Sequence, residues 1–136
     1  MDVASAQSIM VLECIAAMQW GDDCAVPMAS SSGGRKHHIS RFNLRRYQSG
    51  TNLETYVEAE LEDGKVICWW LEVGWNREQW RIEPSVLVND DHGQRVLKDF
   101  PATTLQTLDD FIGQLKEATS DLAAYARSMD LGPACV

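Results

Sequence analysis

Soft metal ligands are scarce in this chain: three histidines and four cysteines in 136 residues, with no Cys-x-x-Cys pair among them. His37 and His38 are adjacent, so on a strand they point to opposite faces and cannot share a metal. His92 follows Asp90-Asp91, a run without the spacing or terminal bidentate glutamate of a calcium loop. No metal or cofactor is therefore expected. There is no Gly-x-Ser-x-Gly, and Gly33-Gly34-Arg35-Lys36 lacks the flanking glycine and Lys-Ser/Thr pair of a phosphate loop. No catalytic residue can be named from such motifs. No run approaches the roughly 20 apolar residues that span a bilayer, and Asp2 stands where a signal peptide would be basic. We read a cytoplasmic protein with free thiols.

Basic residues are also few and clustered. Five of the twelve, Arg35, Lys36, Arg41, Arg45 and Arg46, fall between Ala25 and Leu53, a stretch without one acidic residue. The net charge is −8, and the rest of the chain is more acidic still. An acidic field opposes nucleic acid and anionic membrane, which need phosphate neutralisation, and favours a basic protein partner.

What is present is a strong strand pattern. Leu53, Thr55, Val57, Ala59 and Leu61 alternate with Glu54, Tyr56, Glu58, Glu60 and Glu62, and Asp63-Gly64 then leads into Val66-Ile67-Cys68-Trp69-Trp70-Leu71. This is a β-hairpin pattern. With Asp63-Gly64 as a two-residue turn, Leu61 pairs with Val66, Ala59 with Cys68 and Val57 with Trp70 on the core face. Tyr56, Ile67, Trp69 and Leu71 then lie on the outer face as an interface or ligand surface. Glu72 points inward, toward a possible pocket of Trp70, Trp75 and Trp80. One strand earlier, a Ser49-Gly50 turn sets Arg45 opposite Glu54, Arg41 opposite Glu58, Phe42 opposite Val57 and Leu44 opposite Thr55.

The remaining elements follow from periodicity. Residues 5–20 form a helix with Ile9, Leu12, Ile15, Ala16 and Trp20 inward, and Gly21 ends it. Residues 21–36, rich in Ser and Gly around 30–34, are expected as a mobile loop. Trp80 and Ile82 begin a fourth strand that Pro84 bends or confines to an edge. Asn89 to Gly93 turn the chain into a fifth strand ending near Phe100. Thr103 or Thr104 caps a final helix of about 25 residues, striped by Leu105, Leu108, Phe111, Ile112, Leu115, Thr119, Leu122, Tyr125, Ala126 and Met129. The fold class is α+β in the order α-β5-α: a five-stranded antiparallel meander sheet with both helices on one face, forming a single domain over residues 1–136.

In size, acidity and its final long helix the chain resembles type III secretion chaperones, and as a small acidic α+β domain it resembles toxin-immunity proteins. It departs from the chaperones in lacking the helix they insert within the sheet. The resemblance is one of shape and charge, so it implies a binding role and no functional residues. The expected function is non-enzymatic binding of a basic protein partner, with a homodimer formed through the outer sheet face. The alternative is a small-ligand or catalytic domain around the Trp-lined pocket and Glu72.

Overall fold

The computed structural model describes residues 1–20, 37–47, 50–60 and 64–129, with 37–47 and 59–60 described by their backbone alone. The predicted loop at 21–36 lies outside the described residues. Helix α1 (Val3–Ala17) is followed by β1 (His37–Tyr47), β2 (Gly50–Glu60), β3 (Val66–Trp75), β4 (Trp80–Asp90), β5 (Gly93–Asp99), β6 (Thr103–Leu105) and helix α2 (Leu108–Ser128). The sheet runs in meander order β1-β2-β3-β4-β5, with the short β6 also paired to β4. All pairs are antiparallel. The fold is α+β, as the sequence pattern predicts.

Asp2 caps α1 by accepting the Ser5 N–H at 2.8 Å, which holds its carboxyl below the usual carboxylate range. The helix is apolar on nearly every side, and the stripe it buries is Ala6, Met10, Cys14 and Met18. Trp20 is buried as predicted, but Leu12 and Ile15 are exposed, at 67% and 37%. Helix α2 begins later than expected. Thr103 and Leu105 belong to β6, and Thr107 is the N-cap, accepting the Asp110 N–H at 3.1 Å. Asp109 and Asp110 sit in the first turn, where the helix dipole favours negative charge. Its inward stripe includes Phe111, Leu115, Thr119, Leu122 and Ala126.

Pro84 does not confine β4 to an edge. β4 lies between β3 and the β5/β6 pair, and Pro84 is paired to Leu71. Its carbonyl accepts the Phe100 N–H at 3.4 Å. The absent N–H faces that same side, where β5 has ended opposite Ser85 and β6 begins opposite Ile82. Proline thus occupies the gap between two partner strands. The edge strand β5 is exposed at all seven positions and has a register irregularity opposite Val86/Leu87, a feature that blunts edge pairing.

Register is where sequence and structure part. In the first hairpin Gly50 pairs with Tyr47 and Arg45 with Asn52, and the register shifts between Ser40 and Asn43. The predicted Arg45–Glu54, Arg41–Glu58, Phe42–Val57 and Leu44–Thr55 pairs are absent. A Cβ on Gly50 would collide with the Trp75 carbonyl oxygen, so the strand backbone passes position 50 too closely for any other residue. Exposed charge pairs, at about 0.2–1 kcal/mol each, are too weak to fix a register.

In the second hairpin Glu60 pairs with Val66, Val57 with Trp69 and Leu53 with Val73. The register differs by one residue from that of an Asp63-Gly64 two-residue turn, which moves every β3 side chain to the other face. Ile67, Trp69, Leu71 and Trp75 are therefore core, at 4%, 0%, 0% and 7% exposure. They are not an interface. Cys68, Trp70 and Glu72 face outward. The observed register buries a set without polar groups other than the indoles and leaves the Glu72 carboxylate near water, avoiding a penalty of several kcal/mol.

Both helices pack on the core face, α1 against β2 and α2 mainly against β4. Trp69 meets Trp20 edge to face at 5.9 Å between centroids. Trp80 stacks on Phe111 at 4.4 Å and lies 5.9 Å from Trp75. The predicted pocket is thus divided: Trp75 and Trp80 are core aromatics, Trp80 against Phe111 of α2, and Trp70 and Glu72 are on the opposite face, although Trp75 also lines a cleft with Glu72.

Candidate functional site: the outer sheet face

Alternation along β2, β3 and β4 builds the outer face row by row. Tyr56 lies opposite Trp70, which lies opposite Ser85. The Tyr56 and Trp70 rings are parallel to within 5°, with centroids 5.5 Å apart. Such a cross-strand aromatic pair contributes about 0.5–1.5 kcal/mol beyond the area it covers. Both residues are half-buried.

On one side of this stack is a row of carboxylates. Glu54 is opposite Glu72, and Glu72 is opposite Glu83. Like charges directly opposite one another destabilise a sheet. Glu83 is relieved by Arg81, whose Nη1 lies 2.8 Å from its Oε2. Glu72 accepts a long hydrogen bond of 3.4 Å from Asn52 Nδ2. Beside it lies a cleft of about 240 Å³, lined by Asn52, Glu72, Gly74 and Arg81 and closed at one end by the Trp75–Asn76 turn. Asn52 Oδ1 is buried there without a hydrogen-bond partner.

A second cleft of about 270 Å³ runs past the stack, lined by Glu54, Tyr56, Glu58, Cys68 and Trp70. Burial, reinforced by the Glu58 charge, pushes the Cys68 thiol up to about 12, so it is protonated at neutral pH and a poor nucleophile. Among the described residues no group of three or more His, Cys, Asp or Glu is placed to hold a metal ion. Nor is any described helix long and apolar enough to cross a membrane. The face offers carboxylate acceptors, an aromatic platform and two shallow clefts.

Of the predicted surface residues only Tyr56 is on this face. Trp70 and Glu72 join it from the predicted pocket set, and Asn52, Gly74 and Arg81 were not singled out by sequence. A usable signal was present: one parity of β3 holds Cys68, Trp70, Glu72 and Gly74, the other only Ile67, Trp69, Leu71, Val73 and Trp75. The parity with the carboxylate and the glycine is the outward one. No family model, curated protein or solved structure matches the chain.

Proposed function

We propose that the chain is a protein-binding module of a reducing compartment such as the cytoplasm, and that its outer sheet face receives a basic segment of a partner protein. The Tyr56–Trp70 stack set among carboxylates carries this reading. On β2 to β4 the outward side chains include Glu54, Glu58, Glu72 and Glu83, and Arg81 is ion-paired to Glu83. Aromatic anchors ringed by one sign of charge suit a partner that combines apolar groups with the opposite sign. The same carboxylates oppose a homodimer built through this face, because a two-fold axis would set them against their own copies. The clefts, at about 240 and 270 Å³, fall below the roughly 300–1,000 Å³ usual for small-molecule sites and suit single side chains. The test is an array of peptides graded from acidic to basic, probed with the native protein and with Trp70→Ala. Retention should rise with positive charge, fall with added salt and be lost in the variant. Retention indifferent to peptide charge would refute the reading.

A further inference from the structure

We infer that the partner segment is extended and carries an arginine two residues from an apolar side chain, the guanidinium seated against Glu72 and the apolar group on the Tyr56–Trp70 stack. This rests on the proposed binding of a basic segment and names the pattern that segment must have.

The spacing comes from the strand. Glu72 and Trp70 are two residues apart on β3 and share its outer face, so their side chains emerge about 6.6 Å apart, at about 3.3 Å per residue. An extended segment lying along β3 projects its own alternate side chains at the same interval. It can therefore address both positions at once, in either chain direction.

The choice of arginine comes from the cleft. The Glu72 carboxylate forms no ion pair among the described residues, and its one hydrogen bond, from Asn52, is long. A carboxylate has about four lone-pair sites, so two parallel N–H donors of a guanidinium can be accepted together. Arg81 does not fill this need, because it is held by Glu83 at 2.8 Å. Gly74 forms part of the lining, and a Cβ there would come no nearer than 3.7 Å to Asn52. The cleft of about 240 Å³ beside these residues has room for one side chain. A cation seated at Glu72 also eases its opposition to the carboxylates across from it on β2 and β4.

Fluorescence anisotropy with labelled peptides tests this. The probes contain Arg-Ser-Phe, the reverse Phe-Ser-Arg, the same sequences with citrulline for arginine, and Arg-Phe without a spacer. One of the two spaced peptides should bind the native protein, with citrulline or Glu72→Gln each weakening it roughly ten- to a hundredfold, the usual worth of a charged hydrogen bond. Binding that Trp70→Ala abolishes but Glu72→Gln leaves intact overturns the arginine seat and keeps the outer face as the binding surface. Equal binding of the spacer-free peptide overturns the spacing. Binding indifferent to both variants, or no saturable binding, overturns both the seat and the proposed function.

Discussion

Trp69 and Trp70 are adjacent in the chain and lie on opposite faces of the sheet: Trp69 is wholly buried against Trp20, and Trp70 is stacked on Tyr56 outside. Their replacement should separate stability from recognition. Trp69→Ala removes a fully packed indole and should cost about 3–5 kcal/mol in urea unfolding. Trp70→Ala loses the stacked pair and the covered part of a half-buried indole and should cost less, about 1–3 kcal/mol, leaving a folded protein.

The carboxylate row predicts a variant more stable than the native chain. Glu72→Gln removes the middle charge between Glu54 and Glu83 and should raise unfolding stability by a few tenths to about 1 kcal/mol. The gain should shrink in high salt. Thermal melts at two ionic strengths check it, and the same variant should lose affinity for basic peptides.

Alkaline pH should destabilise the fold through its buried thiols. Burial pushes both Cys14 and Cys68 up from 9.0 to about 12. Between these values the folded chain holds protons that the unfolded chain has released, so stability is fully present below about pH 9 and falls as pH rises toward 12. Cys14→Ala should flatten part of that slope in denaturation curves taken across the range, and Cys68→Ala another part.

Gly50 is the tightest point of the cleft end. Gly50→Ala would drive a methyl group into the Trp75 carbonyl oxygen and to 2.8 Å from the Asn76 Cα, both backbone atoms that cannot rotate away. A loss of about 1–3 kcal/mol or more is expected. Gly74→Ala, with nothing nearer than 3.7 Å, should be far milder.

The architecture was legible because β2 alternates cleanly and α2 carries a long stripe, so both periods stand out against a polar background. The faces of β3 and α1 were harder to read, because each is apolar nearly all round and in β3 the contrast rests on Glu72 and Gly74 alone. In β3 the choice then rested on an assumed two-residue turn, and a one-residue error exchanged Trp69 with Trp70. The charge pairs assigned to the first hairpin were too weak to set its register, which also shifts between Ser40 and Asn43. The candidate face became visible only when register aligned Glu54, Glu72 and Glu83, residues far apart in sequence.

The most direct measurement is a heteronuclear NMR titration of the native protein with the spaced arginine–phenylalanine peptides. The account predicts that the Trp70 indole N–H, the Asn52 side-chain amide and the Gly74 backbone amide shift together and saturate, with the exposed side of α2 around Lys116 and Glu117 unmoved. Shifts confined to the helices, with Trp70 unchanged, would contradict it.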